Sequence, residues 1–274
     1  MKCYYFKEFK YKFGLFDKSI DCSYIIHLEG NNKRLLNIKN QLNKYKPTKN
    51  IIIYFNKGFK KCKKKLYKQK TNYDIIDSYI KIFKHAKSKN FKNIFIFEDD
   101  FILDRLILQE DINNINNFCN DNIHKKFTLS LGIIPIIYYP ENKYINKSII
   151  GPATHNYIYS WKTRNFLLKN VNEINKCGDF DIYLNKIFIK YFYYKPLIFQ
   201  RFEETENQKN WYNLFGIKLI ALKYFKFLEF EKNPKKAFKN HYKLAYISNV
   251  MLVLLIILVI LIIVYYIKLN YSTN

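Results

Sequence analysis

The sequence predicts an α/β protein in which a nucleotide-binding type of sheet is flanked by helices and followed by one C-terminal transmembrane helix. Residues 22–28 and 51–55 have strand composition and are separated by a helical pattern over 30–46, which is the order of a parallel β-α-β unit. Residues 94–97 are apolar on both faces, as expected for a strand inside a parallel sheet. Residues 250–267 contain neither a charge nor a helix breaker, and this length can cross a hydrocarbon core of about 30 Å.

The composition indicates a folded domain and argues against a nucleic-acid partner. Of the 274 residues, 49% are hydrophobic and 19% are aromatic, which is enough to bury a core. The formal net charge is +25, but only four of the 47 basic residues are arginine. Because bidentate contacts to phosphates and bases favour arginine, we interpret the lysine excess as a compositional bias. It can still hold the protein near anionic membranes or attract phosphorylated donors.

The five cysteines predict neither a disulfide framework nor a zinc site. Cys3, Cys22, Cys62, Cys119 and Cys177 are scattered, odd in number and contain no CxxC pair. Such a pattern favours a reducing compartment.

The first half of the chain is expected to contain three strands and two helices. Residues 1–20 form an extension that lacks the apolar h-region of a cleavable signal peptide. Apolar residues recur at helical spacing over 35–42, and a lysine-dense connector over 58–70 follows the second strand. The second helix has an apolar stripe on one face and is predicted to be capped by Asn72 or Asp74.

The second half is interpreted by the same rules. The predicted elements are a polar helix over 109–122, an apolar run over 127–137, a loop over 139–152, a strand over 153–160, a helix over 161–170, a helix opened by residues 178–181, a short strand over 196–200 and a polar segment over 201–211. The helix opened by residues 178–181 is expected to bury Ile182, Leu184, Ile187 and Phe188.

The C-terminal apolar stretch is predicted to be a tail anchor. Its lead-in begins at Tyr246, and a short tail follows Ile267. Lysines are more frequent before the stretch than after it, where Lys268 stands alone. The positive-inside rule therefore predicts that residues 1–245 lie on the cytosolic side. The lysines that precede the stretch are Lys232, Lys235, Lys236, Lys239 and Lys243.

Three consecutive carboxylates stand at the end of the apolar run over 94–97. Glu98, Asp99 and Asp100 repel one another and cannot all be buried unpaired. Because α/β sheets bind ligands at the carboxyl ends of their strands, we expect the acids to hold Mg²⁺ or Mn²⁺ and a phosphate-bearing substrate. The alternative is a solvated acidic turn after a core strand.

The motif over 92–101, KNIFIFEDDF, resembles the "LEDD" signature of glycosyltransferase family 25, which is known for sugar transfer to lipopolysaccharide and collagen. The strand that ends in His27-Leu28, followed by Arg34, looks like the family's opening strand and its arginine. Four later segments look closer still to viral members, so the similarity extends over about residues 20 to 212. In place of the family's Leu and its Ser-His pair, this chain has Phe97 and Asp77-Ser78. The later segments are 151–159, 178–185, 196–200 and 205–207 with Trp211.

The resemblance implies a GT-A-like fold, an inverting transfer and a nucleotide-sugar donor, a UDP-sugar in particular. The acceptor is then a hydroxyl of a glycan, a lipid or a protein. It implies Asp100 and Glu98 as ligands of Mn²⁺ or Mg²⁺, with Asp99 either beside the metal or on the donor ribose or sugar. Donor contacts are expected from Arg34, His27 and Leu28, although Arg34 is equally typical of an exposed helix charge.

Inversion requires a base for the acceptor hydroxyl, and Asp179 and Asp181 are the candidates for this role. Either could instead be a first-turn acid that offsets the helix dipole. Acceptor or other substrate contacts are expected from His155, Gln200, Thr205, Asn207 and Trp211. As alternatives, His155 is a structural histidine, the polar residues form local turns, and Trp211 packs against the protein.

The resulting domain prediction has five segments: an extension over 1–20, a catalytic domain over 21–230, a basic juxtamembrane segment over 231–245, a transmembrane helix over 246–267 and a tail over 268–274. Three rival functions fit the same features. They are a non-catalytic anchored relative that binds or scaffolds, a basic nucleic-acid-associated membrane protein, and a phosphoryl or nucleotidyl transferase. Against a phosphoryl or nucleotidyl transferase, the sequence contains no GxxxxGK[ST] phosphate loop.

Overall fold

The computed structural model describes residues 2–151, 155–188, 190–201 and 217–272. It confirms the α/β class, with a nine-stranded mixed sheet flanked by helices and a long apolar helix at the C-terminus.

The described chain forms eleven strands and eight helices. The strands are β1 (Tyr4–Lys10), β2 (Cys22–Leu28), β3 (Asn50–Asn56), β4 (Ile94–Glu98), β5 (Phe101–Leu103), β6 (Thr128–Ser130), β7 (Ile137–Pro140), β8 (Ile145–Ile150), β9 (Asn156–Tyr159), β10 (Lys190–Tyr193) and β11 (Ile198–Gln200). The helices are α1 (Asn32–Lys44), α2 (Thr71–Ser88), α3 (Gln109–Asp121), α4 (Trp161–Lys169), α5 (Val171–Cys177), α6 (Phe180–Ile187), α7 (Ile217–Phe227) and α8 (Pro234–Ser272).

The order of strands brings the ends of β3, β2 and β4 to one edge of the sheet. The full order is β1-β3-β2-β4-β9-β6-β10-β8-β7. Strand β2 is parallel to both β3 and β4, whereas β9 is antiparallel to β4. Strands β5 and β11 pair in a separate antiparallel ribbon, which leads away from the turn at residues 99–100.

Strand β4 is buried on both faces, as predicted. Ile94 and Ile96 belong to the core on the side of α2, whereas Phe95 and Phe97 belong to the core on the side of α1. All four side chains are fully buried. Since neither face of β4 reaches water, Glu98 at the end of the strand is the first side chain after Asn93 that is partly exposed.

The loop predicted over 139–152 is wrong, because the chain forms the hairpin β7–β8 there. The turn is closed by Asn142, whose side-chain oxygen accepts hydrogen bonds from the backbone N–H groups of Tyr144 and Ile145, both at 2.9 Å. Pro140 has no backbone N–H to donate to a neighbouring strand. It is tolerated because β7 is the last strand of the sheet and has no further strand beside it.

The predicted cap of α2 is also wrong. The helix begins at Thr71 after Lys70, and no side chain caps its first turn. Asp74 is instead buried one turn into the helix, where it forms an ion pair with Lys64 and accepts a hydrogen bond from the N–H of Phe59 at 2.9 Å. The acid therefore fixes the connector between β3 and α2 rather than the helix end.

Helix α6 buries fewer of its predicted residues. Leu184 is buried as expected, but Ile182 is 65% exposed, because the cap at Asp179 sets the rotation of this short helix. Phe180 and Tyr183 are the other buried side chains.

A disulfide joins Cys3 and Cys62, so the prediction of no disulfide is wrong. The pairing of Tyr4 with Asn56 at the end of the β1–β3 ladder brings Cys3 close to the connector that follows β3. Spacing along the sequence does not reveal such a pair. Because disulfides persist mainly in oxidising compartments, the cysteines no longer favour a reducing one.

Helix α8 is long and apolar enough to cross a membrane by length and composition. It runs without a break through residues 245 and 246, and its first part packs on the domain through the buried side chains of Ala237, Phe238 and Ala245.

Candidate active site

Asp99 lies at the centre of a buried network at the end of β4. One carboxylate oxygen is 2.9 Å from Nδ1 of His27 and accepts the N–H of Leu28 at 3.3 Å. The other oxygen accepts a hydrogen bond from Arg34 at 2.6 Å. Both oxygens of Asp99 are therefore engaged by β2 and α1, and the side chain is almost completely buried.

Local sequence at the β2–α1 turn explains how Arg34 reaches the acids. Gly30 adopts φ of +91°, a conformation that glycine enters without strain. Asn31 then caps α1 by accepting the N–H of Arg34 at 3.2 Å. One turn later, Asn37 donates to the carbonyl oxygens of Asp99 at 3.2 Å and Phe101 at 3.0 Å, which fixes the backbone of the acid turn.

Asp100 is buried with one oxygen engaged and one without a partner. Oδ2 accepts a hydrogen bond from Nε2 of Gln200 at 3.2 Å and lies 3.6 Å from a guanidinium nitrogen of Arg34. Oδ1 is buried and makes no hydrogen bond. The Asp100 carbonyl accepts the N–H of Arg201 at 3.0 Å, so the β5–β11 ribbon holds this residue from its other side.

The cluster has more negative than positive charge in the described structure. Burial raises the pKa of Asp100 to about 6, although Arg34 opposes this shift. Burial, then the negative charge of Asp100 and then that of Asp181, raises the pKa of Glu98 well above its usual range. The Arg34 guanidinium is therefore insufficient to compensate all the acids.

The structure assigns different surroundings to the two candidate bases. Asp179 is the N-cap of α6, because its side chain accepts the N–H of Ile182 at 2.9 Å. Asp181, in the first turn of α6, lies close enough to Glu98 to raise the pKa of that carboxyl. Thus the charge of Asp181 acts on the acid cluster, whereas the side chain of Asp179 is used to cap α6.

His155 packs behind the acids. Its carbonyl accepts the N–H of Glu98 at 3.0 Å, and its ring lies 5.8 Å from that of Phe238. Neither ring nitrogen has a hydrogen-bond partner of normal geometry. Burial lowers the pKa of His155 to about 3, although the Ile198 backbone favours the protonated ring, so the imidazole is neutral at physiological pH.

Most of the predicted site residues therefore meet at one edge of the sheet. Gln200 contacts Asp100 directly, whereas Thr205, Asn207 and Trp211 lie outside the described residues.

Two further residues of this edge, Asn37 and Asn56, are not among the predicted site residues. Asn56 is buried at the end of β3, where it bonds Ser78 at 3.1 Å and contacts Lys64 and Asp74. Its position directly after the apolar run over 51–55 is the same signal that identified the acids after β4. Asn37 is one helical turn beyond Arg34, so the helical spacing predicts that it lies on the same face of α1 as Arg34.

A divalent cation fits this site in part. Across residues 2–151, 155–188, 190–201 and 217–272, no three His, Cys, Asp or Glu side chains are arranged as a complete metal site. Asp100 Oδ1 is nevertheless a buried oxygen without a partner, and carboxylate oxygens are the ligands that Mg²⁺ and Mn²⁺ prefer. The donor chemistry is suitable, and Asp100 and Glu98 would be the protein ligands.

In comparisons with known proteins, neither a family model nor a curated protein sequence matches this chain.

The coupling between Arg34 and Asp99 can be measured as a stability difference. Arg34→Met leaves buried carboxylates without their cation, so we expect a loss of at least about 2 kcal/mol in unfolding free energy, given that fully buried pairs lose about 3–5. In an Asp99→Asn background the same change should have a smaller effect. Thermal unfolding of the full chain in detergent measures both. Lys39→Met, an exposed change on the same helix, is the matched control, and equal losses in the two backgrounds would contradict the coupling.

The raised pKa of Asp100 predicts the sign of a pH effect. The folded pKa is about 6 and the usual value is 3.8, so between these values the folded state binds more protons than the unfolded state. Unfolding free energy should therefore rise by about 1.3 kcal/mol from this group as the pH falls from about 7 to about 5, and the full contribution of about 3 kcal/mol is reached only below the unfolded pKa.

Thermal melts of the apo protein across this range test the pH effect, with Asp100→Asn losing the contribution. Asp104→Asn is the control, since the pKa of Asp104 is lowered by Lys235 despite its burial. If Asp100→Asn changes stability equally at all pH values, the pKa assignment is wrong.

Proposed function

We propose that the chain is a membrane-anchored, metal-dependent glycosyltransferase that moves a sugar from a nucleotide-sugar donor to an acceptor hydroxyl with inversion. The observation that carries this proposal is the turn at Glu98, Asp99 and Asp100. It lies at the C-terminal edge of the parallel strands β3, β2 and β4, where α/β sheets bind their ligands. The resemblance to glycosyltransferase family 25 in the same motif supports the same function.

Asp100 and Glu98 would hold Mn²⁺ or Mg²⁺. Such a cation stabilises the negative charge that builds on a departing nucleoside diphosphate. The buried Asp100 Oδ1 without a partner and the raised pKa of Glu98 both support a ligand of positive charge at this position.

In this proposal Asp99 is a positioning residue. Its oxygens are already bonded to His27, Leu28 and Arg34, so little capacity remains for a metal or a ribose. The Arg34 side chain is 21% exposed, and its accessible face can meet a diphosphate while Asp99 holds the other side. A fixed guanidinium loses less freedom when it binds an anion than a mobile one does.

Asp181 is the proposed general base, and Asp179 is its structural neighbour. Asp181 lies close enough to Glu98 for its charge to act on that carboxyl, so the base would stand beside the acids proposed to hold the metal. The Asp179 side chain is already used as a helix cap.

Helix α8 is the proposed tail anchor, with the domain on the cytosolic side. Lysines before the apolar stretch favour that orientation, whereas the Cys3–Cys62 disulfide is more typical of an oxidising compartment. Protease digestion of sealed vesicles distinguishes the two orientations, because only a cytosolic domain is digested from outside.

A non-catalytic diphosphate-binding protein is the second candidate. Arg34 lies against both Asp99 and Asp100, so the protein supplies a cation of its own at the acids. Among the described residues no complete metal site is formed. Such a site could bind a nucleotide without transferring a sugar.

Nucleotide binding by the full chain in detergent tests the proposal. We expect thermal stability to rise with one nucleoside diphosphate, UDP being tested first, only when Mn²⁺ is present, because a cation held by Asp100 and Glu98 would attract the diphosphate. Asp100→Asn should abolish the shift. Asp121→Asn, an exposed acid on α3, should retain it.

Two other results point elsewhere. A shift that needs no Mn²⁺ and survives in Asp100→Asn would favour the non-catalytic candidate. No shift with any nucleotide, from a folded wild type, would overturn both candidates.

The two helix acids give a second test. Asp181→Asn should lower the turnover rate about 100-fold or more, the usual contribution of a general base, while the nucleotide-dependent shift remains. Asp179→Asn retains a good N-cap and should leave turnover nearly unchanged. Release of nucleoside diphosphate from the donor is the readout, and comparable activity in both variants would exclude Asp181 as the base.

A further inference from the structure

Strand β7 is the open edge of the sheet, and a residue of α8 closes part of it. Asn249 donates from Nδ2 to the carbonyl of Ile136 at 2.9 Å and accepts the N–H of Tyr138 on Oδ1 at 3.1 Å. Its amide thus pairs with the edge as a neighbouring strand would. Edge strands with free backbone groups are prone to unwanted pairing, so Asn249 protects the edge of this sheet.

This bond fixes the edge at the level where the apolar stretch of α8 begins. Asn249 immediately precedes Val250, the first residue of the uncharged run over 250–267. If α8 crosses a bilayer, as proposed above, the β7 edge must lie at the lipid–water interface.

The surface at this level is apolar. Ile136, Ile149 and Ile150 are 48%, 53% and 45% exposed. The N–H of Ile136 donates to the carbonyl of Ile150 at 2.9 Å, so these two residues are neighbours, and Ile149 precedes Ile150 on β8 with its side chain on the opposite face of the sheet. Tyr246 and Ile247, also exposed, lie on the turn of α8 that precedes Asn249. We call these five residues the edge patch.

We propose that the edge patch inserts into the interface of the bilayer that α8 crosses and holds the domain against the lipid. The inference rests on the proposed membrane anchoring. Exposed apolar residues beside a membrane segment are stabilised where lipid covers them, and tyrosine is typical of the interfacial belt. A bilayer is the one occupant that must already be present beside residue 250.

Further contacts prevent the domain from swivelling about α8. Nε2 of His241 is 2.8 Å from the carbonyl of Pro135, and its Nδ1 is 2.7 Å from the hydroxyl of Tyr224. Lys235 donates to Asp104 at 2.6 Å. From Lys235 to Asn249 the helix extends over about 21 Å at 1.5 Å per residue, so it is held along its whole first part.

This attachment sets the height of the candidate active site. The ring of Phe238 packs on His155, whose carbonyl accepts the N–H of Glu98. Phe238 precedes Val250 by about 18 Å of helix. A headgroup layer is only about 5–8 Å thick. With α8 along the bilayer normal, a lipid acceptor would therefore have to present its hydroxyl beyond the headgroup layer.

Depth measurements on reporter cysteines test the proposal. The full chain, carrying Cys177→Ser to remove the half-buried free thiol, is given Ile149→Cys, labelled with a polarity-sensitive fluorophore and reconstituted in phosphatidylcholine–phosphatidylserine vesicles. Leu36→Cys, exposed on α1, is the matched aqueous control, and Leu255→Cys reports on the span. We expect blue-shifted emission and quenching by spin-labelled lipid at 149 and 255, and neither at 36.

The outcomes separate the two proposals. Quenching at 255 with water-like emission at 149 overturns insertion of the edge patch and leaves the anchor intact. Water-like emission at both positions overturns the anchor and the patch together.

A second variant tests the role of Asn249. Asn249→Asp retains an acceptor for Tyr138 but places a charge against the Ile136 carbonyl. We expect it to lose most of the quenching at 149 while quenching at 255 remains. Unchanged quenching at 149 would show that the edge patch does not depend on this bond.

Discussion

The buried carboxylate of Asp99 is the interaction on which the candidate site depends. It joins the end of β4 to His27 and Leu28 of β2 and to Arg34 of α1. An acid in this position, almost without solvent, would be strongly destabilising alone, because a buried charge must be paired and hydrogen-bonded. With three partners it instead fixes the separation of β2 and β4 at the C-terminal ends of these strands, and Asn37 fixes the backbone on either side.

Because Asp99 accepts the hydrogen bond from the nearest nitrogen of Arg34, the negative charges of Glu98 and Asp100 are only partly compensated. Asp100 is only 3.6 Å from the guanidinium, yet burial still raises its pKa to about 6. The pKa of Glu98 is raised as well. The network around Asp99 that fixes this edge thus leaves more acidic than basic side chains there. A proton at low pH, or the metal proposed above, would compensate the acids, so the stability measurement and the nucleotide-binding test address the same charges.

Sequence patterns were sufficient where burial alone determines structure, and insufficient where a single side-chain bond does. The runs that became β2, β3 and β4 are apolar on both faces, a pattern that few other environments allow, and the polar residues that follow them meet by topology. By contrast, the N–H of Ile182 selects Asp179 over Asp181 as the cap, and Lys64 withdraws Asp74 from the start of α2. Asp179 and Asp181 are both acids near the start of α6, and Lys64 is one of many lysines before Asp74. Composition and spacing therefore do not show which side chain forms each bond. The edge bond of Asn249 joins residues 111 positions apart and has no local signal.

Helix α8 is both a candidate membrane span and part of the domain that precedes it. Phe238 and Ala237 complete a small core with Phe199 of β11, and β11 also positions Gln200 against Asp100. One packed core and one short strand therefore connect α8 to the acid cluster. A soluble fragment that ends at residue 245 would keep that core but lose Asn249, and its β7 edge would be open to pairing with another copy. Helix α8 is consequently not a separable appendage, since its residue Asn249 bonds to the edge of the sheet.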